Sequence, residues 1–460
     1  MMARTLLAVL LARLVGFFSR LSGRGGSSLP GLIARRVDPA VLSRLSSRLK
    51  GGTALVTGTN GKTTTSAMIS RMMRANGIDI LTNRAGANLI LGLTATFVQA
   101  ERWRIWPRAQ SALLETDEAT MPRASRELHP RVVVVTNFFR DQLDRYGELS
   151  TTIQFVRDGI QDMAKGGMLV LNADDPQVAG LRGADPQVLF YGLEVTDDAR
   201  EFSGYDTLDA RFCPQCGAAL MYGIRYYAHL GHYRCPSCPF ERPHPDVAVL
   251  AWDRHDRKMV VRIGKSVYEV PWRVPGLYNV YNQACAIATG VAMGIPHAVI
   301  QDSFEKFSAA FGRMEEIAMG SASWWLALVK NPVGFNQVLS AIVDEHPGSY
   351  SLMIVINDRY ADGQDVSWLW DVDFEYWTSK LHPRQWYVGG IRAKDMAVRL
   401  KYAGIERSNV VVDENIPRLL GQVESTLDAA NLYVLPTYTA MMELRQHLTR
   451  RGLAAHFREG

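Results

Sequence analysis

Apolar and polar positions fall in blocks along this chain, and the blocks predict an α/β protein. A short apolar run at 54–57 leads into a glycine-containing loop and then a helical stretch over 63–75. Further strand-like runs follow at 111–114, 132–136 and 168–171, each separated by enough residues for a helix. Alternation of this kind implies a parallel sheet with helices on both faces. Beyond Arg313 the rhythm restarts, with runs at 325–329, 352–356, 386–388, 410–412 and 432–435. These predict a second, Rossmann-like α/β unit, with the boundary near 311–313. Three segments result: an N-terminal piece at 1–45, a central unit at 46–312 and a C-terminal unit at 313–460. A chain of 460 residues is in any case too long for one core.

The opening residues, MMARTLLAVLLARLVGFF, are apolar but interrupted by Arg4 and Arg13. They are too short and too charged for a spanning helix. A signal peptide would need a small-residue cleavage site, and SRLSGRGGSSLPG follows instead. The segment reads as an amphipathic helix that either docks on its own protein or lies on the membrane interface. A net charge of +5 with 21% charged residues changes little. It suits phosphorylated substrates or an anionic membrane surface, and it lacks the dense basic stripe of a nucleic-acid binder.

The strongest chemical signal is Gly58-Thr59-Asn60-Gly61-Lys62-Thr63-Thr64, placed between a strand and a helix. Glycines at 58 and 61 let backbone N–H groups approach a phosphate with no Cβ in the way. Lys62 offers a point charge to the β- and γ-phosphates, and the Thr63 hydroxyl can ligate Mg²⁺. The helix that starts here adds its positive end. Gly58 lies only three positions before Gly61, whereas the two glycines of the common G-x-x-x-x-G-K-T loop lie five apart, so the loop reads as a shortened ATP-binding variant.

A second motif sits in the middle of the chain. Cys213 and Cys216 form one C-x-x-C, and Cys235 and Cys238 another, with eighteen residues between the two pairs. Two such knuckles can supply four thiolates to one tetrahedral Zn²⁺, with the intervening YGIRYYAHLGHYR as a hairpin. Four sulfur ligands leave no open position, so the zinc is structural, in a ribbon inserted at about 208–242. His229 and His232 are read as surface polar residues of that hairpin. Arg225, Tyr226, Tyr227, Tyr233 and Arg234 would permit nucleic-acid binding, yet the ATP loop explains more of the chain, and no nucleic-acid partner is expected. The fifth cysteine, Cys285, lies in an Ala-rich helical stretch and reads as a buried, inert thiol.

Here the loop TGTNGKTTT resembles that of the Mur ligases, which join amino acids to cell-wall precursors through an acyl phosphate. Other stretches agree in order. Glu115, in LLETDEA, resembles the family glutamate that holds a second Mg²⁺, and Thr136-Asn137 with Asp141-Gln142-Leu143-Asp144 resembles the T-N-x-x-x-D-H-L-D segment. Asn172-Ala173-Asp174-Asp175-Pro176 looks like the N-x-D-D-P turn. Gly276, Asn279 and Asn282 resemble the helix start beside the adenine, and Gly312-Arg313 the arginine-bearing hinge. The resemblance implies a Mur-type central domain, with Lys62 and Glu115 as catalytic residues and Asn279, Asn282 and Arg313 as ATP contacts. Three departures bear on the second metal. Gln142 and Tyr278 stand in place of histidines, and Arg157 falls by spacing where many members carry a carbamylated lysine. Neither an amide nor a guanidinium takes over those roles unchanged.

The inserted ribbon and the C-terminal half are similar to a subgroup of that family, the synthetase subunits of lipid II isoglutaminyl synthase. Segments 330–336, 356–371 and 435–441 carry the likeness. It implies ATP-dependent amidation of the D-glutamate α-carboxyl of the lipid II stem peptide, in the cytoplasm or at the inner face of the membrane. The nucleophile would be ammonia from a GatD-like glutaminase partner. An ordinary Mur-type ligase that adds an amino acid is the alternative. In the acidic run Asp358, Asp362, Asp365, Asp371 and Asp373, one carboxylate is expected to complete the partner's catalytic triad, and Asp371 is chosen. The other reading is a solvated loop with Trp368 and Trp370 packed beneath it. Asn83 to Asn88 (NRAGAN) is a candidate substrate loop.

Overall fold

The computed structural model describes the chain except residues 1, 22–27, 84–85, 101–105, 142–147, 184–186, 195–208, 254, 306, 308–312, 320–321, 346–347, 427–430 and 454–460. Gln142, Leu143, Asp144 and Gly312 therefore lie outside the described residues, and so does the side chain of Arg313.

Two sheets organise the protein. The first has nine strands, in the order β11-β10-β9-β6-β5-β4-β1-β3-β2. They are β1 (Gly52–Thr57), β2 (Ile80–Thr82), β3 (Ser111–Glu115), β4 (Val132–Val135), β5 (Met168–Asn172), β6 (Gln187–Leu193), β9 (Val247–Asp253), β10 (Lys258–Ile263) and β11 (Ser266–Pro271). From β2 to β9 every pair is parallel; β10 and β11 then fold back antiparallel. The strand β4, four consecutive valines, shows why parallel strands read as unbroken apolar runs. Val132 and Val134 enter one core, while Val133 and Val135 enter the core on the opposite face.

Different helices cover the two faces. On one lie Lys62–Ala75, labelled α4, and the helix Leu277–Ala292. On the other lie α1 (Met2–Leu21), α2 (Leu29–Val37), α3 (Val41–Ser46), α5 (Ile90–Gln99) and α6 (Met121–Leu128). The N-terminal segment thus shares the core of the central unit. Thr5, Ala8, Val9 and Ala12 of α1 are buried. The Thr5 hydroxyl donates to Asp38 at 2.7 Å and Arg13 to the Val98 carbonyl at 2.7 Å. Along the remaining face of α1, Leu6, Leu7, Leu10, Leu14, Phe17 and Phe18 are exposed.

The second sheet has six strands, in the order β12-β13-β17-β14-β15-β16. These are β12 (Arg313–Met319), β13 (Ala322–Ala327), β14 (Tyr350–Val355), β15 (Trp386–Gly389), β16 (Val410–Asp413) and β17 (Asn431–Pro436). All pairs but β12 with β13 are parallel.

The cysteine motifs lie in the connection from β6 to β9, around a hairpin of β7 (Met221–Tyr227) and β8 (Leu230–Arg234). The ribbon is bonded to the Asn172–Pro176 turn. Gly231 N–H donates to the Asp174 carbonyl at 2.9 Å, the Tyr233 hydroxyl to the Ala173 carbonyl at 3.0 Å, and Arg242 Nε to Asp174 Oδ1 at 2.6 Å. This docking corrects the expectation for the hairpin histidines. His229 is fully buried, 3.4 Å from Asp175 Oδ2, and His232 is half-buried. The left-handed turn at Ala228 (φ 47°) directs the chain at this point into the body of the protein instead of out of it.

Candidate active site

Parallel sheets open ligand sites at the carboxyl ends of their strands, and here two sheets aim those ends at one cavity of ≈ 360 Å³. From the first sheet come the loop after β1, Glu115 at the end of β3, and Phe139 and Asp141 after β4. From the second come Lys330 after β13, Tyr360 and Asp362 after β14, and Thr437 and Tyr438 after β17.

The phosphate loop has the shape its glycines predict. Gly58 (φ 114°) and Gly61 (φ 87°) are both left-handed. A Cβ at Gly61 would stand 2.1 Å from Asn282 Oδ1, so the loop and the Leu277–Ala292 helix leave no room there for a side chain. Thr136 and Asn137 brace the loop from behind. The Asn137 carbonyl accepts from Thr59 N–H at 2.8 Å, its Oδ1 from Asn60 N–H at 2.9 Å, and Thr136 Oγ1 donates to the Asn60 carbonyl at 2.7 Å.

Lys62 does not face solvent. It is buried, with Nζ 2.9 Å from Glu118 Oε1 and 2.5 Å from the Gly58 carbonyl. Burial alone would lower its pKa, but Glu118, Glu115 and Asp117 outweigh that and hold it above the ordinary value, so it stays an ammonium. Thr63 Oγ1 donates to Glu115 Oε2 at 2.5 Å. Two hard oxygens thus converge beside the ammonium, which is the donor type Mg²⁺ takes. Asn83, the first residue of NRAGAN, holds both backbone groups of Glu115, at 2.9 and 2.8 Å. Glu118 and Asp117 were not singled out from LLETDEA, although they extend the same acidic string. They line the cavity with Glu115.

Other expected residues divide. Asn282 lines the cavity, whereas Asn279 is fully buried behind it and accepts from Asn282 Nδ2 at 3.0 Å. Arg157 is exposed on the Leu149–Gln161 helix, bonded to Gln154 at 3.3 Å, and takes no part in the cavity. Of the acidic run, Asp362 lines the cavity; Thr439 N–H and Oγ1 donate to it at 2.7 and 2.5 Å, while burial pushes its carboxyl up. Asp358 pairs with Arg392 at 2.8 Å, and Asp365 accepts from Ser367 N–H at 2.8 Å. Asp373 accepts from Asn336 at 2.8 Å, and burial pushes it up to about 6. Asp371 is exposed and lies away from the cavity lining, next to a Trp370 that is itself 53% exposed and therefore not packed beneath a loop.

The C-terminal unit reaches back onto the loop. Asn60 and Asn331 exchange amide hydrogen bonds at 3.4 and 3.1 Å, and Lys330 Nζ donates to the Thr59 carbonyl at 3.2 Å and to Asp141 at 2.5 Å. The four ribbon sulfurs lie within 4.8 Å of one another, with pairs at 3.6 and 3.4 Å and no disulfide. A tetrahedron of Zn–S bonds of about 2.3 Å has edges of roughly 3.8 Å, so the donor set fits zinc.

Fold and site together define an ATP-dependent carbon–nitrogen ligase of the Mur type. Residues 56–211 match the Mur ligase middle domain, and residues 328–441 match the MurT ligase C-terminal domain. The chain belongs to the MurT family: it is 34% identical over 444 residues to the lipid II isoglutaminyl synthase (glutamine-hydrolyzing) subunit MurT of Staphylococcus aureus (strain N315), covering 96% of this chain and 97% of that one. The subunit of the same description from Streptococcus pneumoniae (strain ATCC BAA-255 / R6) is 34% identical over 452 residues, 98% of each. The fold is shared with a pseudomurein peptide ligase type C from Methanothermus fervidus, with a TM-score of 0.67, 21% identity, and coverage of 89% of this chain and 80% of that one. It is also shared with MurF from Acinetobacter baumannii, with a TM-score of 0.65, 16% identity, and coverage of 92% and 80%.

Proposed function

We propose that this chain amidates the α-carboxyl of D-glutamate in the lipid II stem peptide, consuming ATP and using ammonia that a GatD-like glutaminase subunit releases from glutamine. The observation that carries the reading is one cavity in which Lys62, Thr63 and Glu115 face a C-terminal unit of MurT type. In the first step a carboxylate oxygen attacks the γ-phosphorus, the bond to ADP breaks, and an acyl phosphate forms. Lys62 and the amides of residues 58–64 neutralise charge on the transferring group. Thr63 and Glu115 would hold Mg²⁺, which supplies further charge neutralisation on the triphosphate. Ammonia nitrogen then attacks the acyl carbon, phosphate leaves with the bonding pair, and the nitrogen sheds a proton.

The ammonia needs a separate source, because at neutral pH most of it is ammonium. Cys285 cannot supply a glutaminase nucleophile: it is fully buried, and burial pushes its thiol up to about 12. The other four cysteines form the sulfur cluster. Asp371 stands exposed at the end of the Ser367–Asp371 turn, where a partner's histidine can reach it. We take 46–312 as the ATP-binding domain with the ribbon inserted at about 208–242, 313–460 as the C-terminal domain and 1–45 as the N-terminal segment. The change of sheet between β11 and β12 supports the division at 312.

The test is reconstitution with the glutaminase, lipid II, ATP and glutamine, read by mass spectrometry as conversion of carboxyl to carboxamide. Amide formation with a free amino acid and no glutaminase would favour the ordinary ligase instead. In the same assay Asp371→Asn is expected to lose glutamine-driven turnover and to keep turnover driven by ammonium salt. Loss of both would remove Asp371 from the partner's triad.

We infer a cytoplasmic protein seated on the inner membrane face through α1. The first 37 residues contain six arginines and no acidic residue, and Leu6, Leu7, Leu10, Leu14, Phe17 and Phe18 form an exposed apolar stripe on α1. Against the expectation from its charge and length, the helix is long and apolar enough to cross a bilayer, with a mean hydropathy of 1.6, but Thr5, Ala8, Val9 and Ala12 are held in the protein core. Lying on the surface keeps those contacts. Leu10→Asp with Phe17→Asp is expected to cut co-sedimentation with phosphatidylglycerol vesicles about tenfold while ATP binding is unchanged. Equal sedimentation of both proteins would exclude α1 as the contact.

A further inference from the structure

We propose that the ribbon is part of the nucleotide site, its hairpin carrying Tyr227 into the cavity as the residue that meets the adenine ring. This rests on the reading of the cavity as an ATP site. The lining divides by chemistry. Lys62, Glu115, Asp117 and Glu118 gather around the phosphate loop, and none of them suits the flat, apolar faces of a purine. Phe139, Tyr227, Tyr278, Tyr360 and Tyr438 are the aromatic residues of the lining. Tyr360 and Tyr438 follow strands of the second sheet, whereas Tyr227 comes from the ribbon and lies against Phe139, which is bonded to the loop.

The ring of Tyr227 is held from several sides. It packs edge-to-face on Tyr281 at 5.6 Å and 83°, and lies 6.0 Å from Phe139. Two residues on, His229 is wedged under Phe139 at 4.9 Å, with neither ring nitrogen in a hydrogen bond. Phe139 is bonded directly to the loop: its N–H donates to Thr59 Oγ1 at 3.0 Å, and its carbonyl accepts from the same hydroxyl at 3.2 Å. The hairpin tip therefore supports the loop at one remove and touches the cavity itself through one side chain. The knuckles fix where that tip stands, because Cys235 follows β8 directly and its N–H is bonded to the Phe240 carbonyl at 2.8 Å. A ribbon serving only as surface decoration would not need its turn buried beneath an active-site residue.

Base contact and simple packing predict different affinities, because inorganic triphosphate has phosphates and no base. Tyr227→Ala is expected to weaken ATP binding by about tenfold, the scale of one aromatic–base stack, and to leave triphosphate binding within about twofold. Tyr227→Phe keeps the ring and is expected to bind ATP like the parent. Titration calorimetry of both ligands against the full-length chain measures all three proteins. Unchanged ATP affinity in Tyr227→Ala overturns the proposal. So does an equal loss for ATP and triphosphate, which would reduce Tyr227 to a packing residue. Should Tyr227→Ala fail to fold, Tyr227→Leu takes its place with the same two outcomes. A parent chain that binds neither ligand would instead sink the ATP reading on which the proposal stands.

Discussion

Lys62→Ala is expected to abolish ATP-dependent amidation, lowering turnover by about 10²–10³-fold or more, and also to make the protein less stable. The first effect follows from position: the ammonium sits in the phosphate loop with three carboxylates around it and no other lysine in the loop. The second follows from burial. Lys62 and Glu118 pair at 2.9 Å with about a tenth of either side chain exposed. Removing one partner of a buried pair commonly costs about 3–5 kcal/mol. Glu118 can recover part of this by taking up a proton, since burial already pushes its carboxyl up against the pull of Lys62. The two effects separate in a double variant. Lys62→Ala with Glu118→Gln should regain thermal stability relative to Lys62→Ala alone and remain inactive. Recovery of amidation in the double variant would show that Lys62 serves the fold and not the phosphoryl transfer.

Replacing Cys213 and Cys216 with serine is expected to lower the melting temperature by about 10 °C or more and to remove bound zinc. The cluster is closed by four sulfurs and its surroundings are bonded into the body, so its loss spreads. Tyr233 and Phe240 stack at 5.7 Å beside the knuckles, and Arg242 and Gly231 both hold Asp174. Asp174 in turn accepts from the Tyr281 hydroxyl at 2.7 Å, on the helix that also carries Asn282. A chelator should lower the melting temperature of the parent chain and leave the variant where it was. A metal-free protein of undiminished stability would rule out the structural role.

Much of the site was legible because it depends on local chemistry. A strand, two glycines, a lysine and a helix lie within thirteen residues of one another, and each residue type has one obvious use there. The four cysteines were equally plain, since their spacing is itself the ligand geometry. Long-range placement was less accessible. His229 carries no sign in the sequence that its turn folds inward, and a polar ring in a hairpin ordinarily points to water. Nothing near Lys62 in the sequence announces Glu118, fifty-six residues away, which the fold brings against it. Spacing alone places Arg157 on a helix without fixing which face meets the cavity, and its side chain is exposed away from it. Five aspartates close in sequence proved to occupy five different environments, with Asp362 and not Asp371 in the cavity. The antiparallel extension β10–β11 has a local sign in the two-residue turn Gly264-Lys265 between apolar strands.

The paired amides of Asn60 and Asn331 have a mechanical consequence. Together with Lys330 they tie the second sheet to the glycine-containing loop after β1. Any swing of the C-terminal half must first let go of that stretch, and any tightening of the stretch is felt at once in the half that swings. A displacement of the C-terminal half relative to the central sheet would therefore have to break hydrogen bonds at residues 59 and 60.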